Sequence, residues 1–202
     1  MKLKVCGMKY SQNITEIENL FPDLMGFIFY EKSKRFFNQP EINLNNKVKR
    51  VGVFVNENIE EIKNKIKKYK LDYVQLHGEE NVSFCHSLQP FVKIIKVFKI
   101  DYNFNFKKTE EFEEFCDYFL FDTKSQLHGG SGKKFDWDLL KNYNCKKDFF
   151  LSGGIDISDI EEIKKIVNSY PIAGIDINSK FELDNLEKDK EKINLLIKKL
   201  RL

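Results

Sequence analysis

Three short stretches carry residue types able to move protons. KLKVCGM (2–8) brings Cys6 to the point where an apolar run meets glycine, DYVQLHG (72–78) ends in Gln75 and His77, and YFLFDT (118–123) ends on Asp122 and Thr123. A cysteine so placed is a packing residue, half of a disulfide or a working thiol, and only the thiolate does basic or nucleophilic work. Asp122 ahead of Thr123 reads either as a turn cap or as a carboxyl that carries a proton. Two further stretches suit an anion. In SGGI (152–155), glycine lets backbone N–H groups approach closely, and a helix N-terminus behind the turn favours negative charge. Gly153 and Gly154 alone are a weak signal, since such a pair is often only a turn; Asn178 and Ser179 in DINSKFE (176–182) reinforce it. KSKRF (32–36) adds Ser33 and Arg35.

All of these residues sit at or just beyond the ends of apolar runs. The runs are 2–6, 25–30, 50–55, 72–76, 93–98, 118–122, 148–152 and 173–177, rich in Val, Ile, Phe and Tyr and mostly without polar alternation. Strands covered on both faces read this way. Between them lie helical patterns. In 57–70, Ile59, Ile62, Ile66 and Tyr69 recur at three- and four-residue spacing; 157–167 opens with Ser158 as a candidate cap; 187–200 carries a stripe at Ile193, Leu196, Ile197 and Leu200.

Eight strands alternating with helices predict parallel pairing through right-handed crossovers, and eight is the number that closes. The expected fold is a (β/α)₈ TIM barrel of the α/β class, one domain over residues 1–202. A flavodoxin-like open sheet needs only about five strands. At 202 residues the chain is near the lower limit for a barrel, so short loops and a stunted second helix around Pro40–Asn46 are expected. In such barrels the active site lies at the carboxyl ends of the strands, where the residues above are found.

Composition narrows the function. Hydrophobic residues make up 42% and charged residues 32%, which suits a folded globular chain. The 34 basic and 31 acidic residues are interspersed and leave a net charge of only +3, so no nucleic-acid footprint stands out. KNKIKKYK (63–70) reads as the solvated face of a helix. Cys6, Cys85, Cys116 and Cys145 show no CxxC spacing, and no basic-then-apolar leader opens the chain. A reducing cytoplasm with free thiols is expected. No window approaches the roughly 20 apolar residues of a membrane span. HGGSGKKFDW (128–137) could fold over a ligand but lacks the GxxxxGK[ST] pattern, so nucleotide binding is not expected.

KVCGM, GFIFYEKSKRF, VGVFVN, DYVQLHGEE, FDT followed by GGSGKKFDW, LSGGI and GIDINSKFE resemble, in order and over nearly the whole chain, the motifs of phosphoribosylanthranilate isomerase. The resemblance implies an Amadori rearrangement in tryptophan biosynthesis. N-(5-phosphoribosyl)anthranilate becomes 1-(2-carboxyphenylamino)-1-deoxyribulose 5-phosphate, with no metal or organic cofactor. The implied partner is this small phosphosugar, with no nucleic acid and no membrane; monomer and homodimer are both compatible.

By position, Cys6 matches the family's general base and Asp122 its general acid. A basic neighbour must favour thiolate at Cys6, while burial or a nearby anion must keep a proton on Asp122. Arg35 matches the arginine beside the anthranilate carboxylate, as guanidinium chemistry allows. Gly130, Ser131, Gly153, Gly154, Asn178 and Ser179 match the phosphate positions, mostly through backbone N–H groups. His77 reads as a structural hydrogen-bonding residue. Asn178-Ser179-Lys180 departs from the family's usual Ser-Ser-Gly turn, and Lys180 would resist a backbone that needs positive φ. ELDNLEKDKE (182–191) lacks the usual Pro-Gly but keeps Lys188 and Asp189. A histidine-pathway isomerase would place Asp at position 6 and run longer, and a silent phosphate-binding barrel would not need Cys6 and Asp122.

Overall fold

The computed structural model describes residues 1–45, 47–124 and 134–201. Every apolar run becomes a strand: β1 Lys2–Cys6, β2 Leu24–Ile28, β3 Lys49–Phe54, β4 Tyr73–Leu76, β5 Lys93–Ile100, β6 Tyr118–Thr123, β7 Phe149–Leu151 and β8 Ile172–Ile177. Each pairs in parallel with its sequence neighbours, and β8 returns to β1 through Lys2↔Gly174 to Val5↔Ile177, closing the TIM barrel. The closed sheet has two apolar zones. Leu24, Val51, Ile95, Val97, Leu120 and Phe150 fill the inside. The outward residues, with Phe27, Phe54, Phe119, Phe121 and Phe149 buried among them, meet the surrounding helices. Near-continuous hydrophobic runs follow, because both faces of every strand are covered.

The helical layer is thinner than the alternating pattern predicts. Full α-helices are α1 Ser11–Glu18, α2 Ile59–Tyr69, α3 Val82–Leu88, α4 Ile160–Ile166 and α5 Lys190–Arg201. Among the described residues, the connections after β5 and β6 carry only 3₁₀ turns, Phe106–Phe112 and Trp137–Asn142, and the stretch after β2 forms no helix at all. The stunted second helix is thus reduced to a loop that packs Phe37, Ile42 and Leu44 on the barrel.

α2 follows its sequence pattern. Asn58 caps it through Glu61 N–H, acidic residues occupy the first turn, and Lys70 ends it in the left-handed conformation. The helix after β7 corrects the reading of Ser158. Asp156 is the cap, and it forms a reciprocal capping box with Asp159 over a 3₁₀ turn, Ile157–Asp159. A carboxylate at that place satisfies the first N–H groups with charge, which a serine inside the turn does not. Lys180 also departs from expectation, because it lies in the 3₁₀ turn Ser179–Phe181 and is not among the residues of positive φ. The backbone there does not require glycine.

Candidate active site

Side chains alternate along a strand, so residues two apart share the barrel interior. Cys6 on β1, Gln75 on β4 with His77 just after it, Asp122 on β6, Ser152 after β7, and Asp176 on β8 with Asn178 just after it all reach one cleft at the carboxyl ends of the strands. The cleft holds about 720 Å³ of atom-free space, its open mouth included. Seven of the residues expected from sequence line it: Cys6, Arg35, Asp122, Gly153, Gly154, Asn178 and Ser179. Gly130 and Ser131, with most of the expected lid, lie outside the described residues. The last residues of that stretch anchor firmly: Phe135 and Trp137 are buried, and Lys134 Nζ lies 2.5 Å from Asp159 Oδ1.

Asp122 and His77 meet across the mouth. Asp122 Oδ1 accepts the Thr123 N–H at 2.8 Å, which leaves Oδ2 toward the cleft, 3.5 Å from His77 Nε2. The Gln75 amide nitrogen lies 3.1 Å from His77 Nδ1. With that amide donating, the ring proton sits on Nε2, which lies beside the carboxyl but makes no hydrogen bond. His77 itself is held by its backbone N–H on Phe54 O and by the turn behind it. In that turn Glu80 accepts from Asn56 N–H and Gly78 N–H, and the buried Lys96 ammonium bonds Glu80 Oε2 at 2.9 Å and Gly78 O at 2.8 Å.

Cys6 is buried and its thiol is free, as are those of Cys85, Cys116 and Cys145. Lys4, two residues earlier on the same face, is fully buried beneath it. Its ammonium bonds Asp176 Oδ1 at 2.8 Å, and Ser152 Oγ donates to Asp176 Oδ2 at 3.2 Å. Gly26 on β2 makes room for both: a Cβ there would lie 2.8 Å from Cys6 Sγ and 3.2 Å from Lys4 Nζ. Burial pushes the Cys6 thiol above its ordinary value, Lys4 and Lys188 pull it down, and Asp176 pushes it up. Burial pulls the Lys4 ammonium down, but Asp176 and Cys6 outweigh it and hold it above the ordinary lysine value.

A second charge cluster flanks the thiol. Arg35 grips Glu182 with Nε and Nη2, both at 2.6 Å, and Lys188 Nζ bonds Glu182 Oε1 at 2.6 Å and Asn178 Oδ1 at 2.7 Å. The two bonds to Glu182 leave Arg35 Nη1 outside the pair. The Asn178 Oδ1 is likewise turned to Lys188, which leaves backbone groups, Ser179 and Lys180 to meet an anion at this turn. Burial lowers Lys188 to about 8 against the pull of Glu182. The Glu182 carboxyl resists burial and stays below its ordinary value because of Arg35 and Lys188.

The glycine turn opposite takes φ +90° at Gly153 and +66° at Gly154. A Cβ on Gly153 would come within 2.2 Å of Thr123 Oγ1, so only glycine fits. Gly7 has the same constraint behind Cys6, at φ +80° with Arg35 Cδ 2.7 Å from a Cβ.

Lys4, Asp176 and Glu182 were not singled out from the sequence. Their signal is present all the same. Lys4 and Asp176 are charged residues inside otherwise apolar strands, at the two-residue period that shares a face with Cys6 and Asn178.

The family model for N-(5'-phosphoribosyl)anthranilate (PRA) isomerase matches residues 3–199 of this chain. The chain belongs to the phosphoribosylanthranilate isomerase family. An N-(5'-phosphoribosyl)anthranilate isomerase from Parabacteroides distasonis is 44% identical, covering 99% of this chain and 93% of its own. Among solved structures, the phosphoribosylanthranilate isomerase of Thermus thermophilus superposes with a TM-score of 0.85 at 26% identity, covering 100% of this chain and 98% of that one. A phosphoribosylanthranilate isomerase in complex with reduced 1-(o-carboxyphenylamino)-1-deoxyribulose 5-phosphate superposes at 0.79 with 28% identity and the same coverage.

Proposed function

We propose that this chain, acting as one barrel domain, isomerises N-(5-phosphoribosyl)anthranilate to 1-(2-carboxyphenylamino)-1-deoxyribulose 5-phosphate, with Asp122 as general acid and Cys6 as general base. The observation that carries the reading is the shared cleft: a thiol from β1 and a carboxyl from β6 face one space at the carboxyl ends of the barrel. Membership of the isomerase family names the substrate.

The reaction begins when Asp122 gives its proton to the furanose ring oxygen. The bond from C1 to that oxygen breaks, and the anilino nitrogen supplies the electron pair that forms a Schiff base. The Cys6 thiolate then takes the C2 proton, and the C–H electrons pass through C1 to the nitrogen to give an enolamine. Tautomerisation leaves C2 as a ketone and C1 reduced. Oxidation at C2 balances reduction at C1 within one molecule, so no external electron donor or acceptor enters. His77 Nε2, 3.5 Å from Asp122 Oδ2, lies close enough to stabilise the carboxylate left after proton transfer.

Gly153 and Gly154, with the turn at Asn178 and Ser179, suit the phosphate, and Gly130 and Ser131 belong to the same proposal. Arg35, which lines the cleft with Nη1 outside its pair with Glu182, supplies positive charge for the anthranilate carboxylate. The test is the decay of phosphoribosylanthranilate fluorescence with purified protein. Wild type turns it over; Asp122→Asn and Cys6→Ala lose at least about 100-fold in kcat, the scale of a general acid or base, while retaining affinity for a reduced product analogue. Near-normal kcat in either variant removes that residue from its role.

A further inference from the structure

A thiol buried as deeply as Cys6 needs help to carry negative charge, and the groups around it differ in sign. From β1, Lys4 lies directly below; from β8, Asp176 pairs with Lys4. From the segment before α5 comes Lys188, which faces the thiol from the side and is itself shared with Glu182 and, beyond it, Arg35. β2 contributes no charge, only the Gly26 surface against which Sγ and Lys4 Nζ both rest. β7 contributes Ser152, whose hydroxyl holds the far oxygen of Asp176.

Lys4 is therefore not a solvated cation that happens to be near. Its surroundings are closed, its ammonium is fixed by Asp176, and the Asp176 carboxylate is fixed in turn from the other side. We propose that Lys4 is a positioning residue for the isomerisation: pinned below Cys6 by Asp176, its ammonium holds the negative charge on the sulfur that removes the C2 proton. This rests on Cys6 as the base.

The proton balance is simple. The thiol loses its proton to solvent, Lys4 remains an ammonium throughout, and the thiolate then receives the C2 proton. Asp176 has two opposed effects on this step, since it keeps Lys4 in place and opposes the thiolate by its own charge. That opposition supplies the test. Removing Lys4 makes Cys6 harder to ionise, and removing the Asp176 charge makes it easier, because an opposite charge within 4–6 Å favours the ionised form and a like charge disfavours it.

The pH dependence of Cys6 alkylation by iodoacetamide, followed on the Cys6 peptide by mass spectrometry, reads this directly. Lys4→Met moves the midpoint of Cys6 reactivity upward by about one pH unit or more, Asp176→Asn moves it downward, and Lys4→Arg leaves it near wild type. Turnover by Lys4→Met falls mainly in kcat, with its pH profile displaced in the same direction. A merely structural role would move Lys4→Met and Asp176→Asn in the same direction or leave both midpoints in place, and either result overturns the inference. Should Lys4→Met fail to fold, the downward shift in Asp176→Asn and the rescue in Lys4→Arg still decide it. If Cys6→Ala keeps full turnover, the assignment of the base fails, whereas the alkylation midpoints separately report whether Lys4 sets the charge on the thiol.

Discussion

Glu182 shows how one carboxylate organises several cations at the residue scale. Its side chain is only 5% exposed, accepts from Arg35 twice and from Lys188 once, and fixes the guanidinium at the lip of the cleft. Its proton affinity falls below the ordinary value of 4.5 because those cations outweigh burial. A carboxylate depressed in the folded state stabilises the fold above its unfolded value, and that contribution disappears as pH falls through the folded value. Glu182→Gln is thus expected to be less stable by about 3 kcal/mol at pH 7, where two buried cations lose their counter-ion. The gap to wild type narrows as the solution is acidified below 4.5. Urea melts from pH 3 to 7 measure it, and a gap independent of pH would argue that Glu182 acts by packing alone.

At the scale of elements, the turn between β4 and α3 is built around a buried ion pair rather than a long loop. Lys96, from β5, reaches Glu80 and the Gly78 carbonyl, and Glu80 in turn satisfies the N–H groups of Asn56 and Gly78. The β3–α2 and β4–α3 turns are thereby tied together, and His77 leaves β4 from a rigid base. Lys96→Met leaves Glu80 buried without its cation, which costs about 3–5 kcal/mol. The expected result is a lowered thermal midpoint by circular dichroism. Lys96→Met/Glu80→Gln recovers part of it, since the double change removes the uncompensated charge. A full loss in the double variant equal to that in Lys96→Met would show the ion pair is not what matters.

Much of this element layer was legible in the sequence. Eight apolar runs became eight strands within a few residues, since a strand covered on both faces must be apolar nearly throughout. The helices were less legible. Ser158 looked like a cap because serine often is one, yet the carboxylates at Asp156 and Asp159 supply a reciprocal cap that serine cannot match. Among its described residues the stretch after β2 forms no helix, although Phe37, Ile42 and Leu44 pack into the core.

For the whole molecule, closure is what makes the cleft. β8 pairs with β7 on one side and β1 on the other, so removing it exposes two sheet edges and opens the interior. It also removes Asp176, Asn178 and the Glu182–Lys188 cluster from beside Cys6. A chain ending at residue 171 is expected to show no cooperative thermal transition and no turnover, as checked by circular dichroism and the fluorescence assay. A cooperative melt in that fragment would mean that seven strands suffice.

The proposed acid–base pair could be picked out in the sequence because each member ends an apolar run within a motif of the isomerase family, and a barrel gathers strand ends at one face whatever the details of its helices. The residues that tune the pair could not be. Lys4 is only a lysine in a strand until closure brings Asp176, 172 positions later, against it. Arg35 and Glu182 stand 147 residues apart and meet for the same reason. Local pattern determines which segments are strands and which residues end them, since burial and periodicity act over a few residues. Charge pairing across the barrel depends on register and closure, which act over the whole chain, and only the tertiary structure decided them.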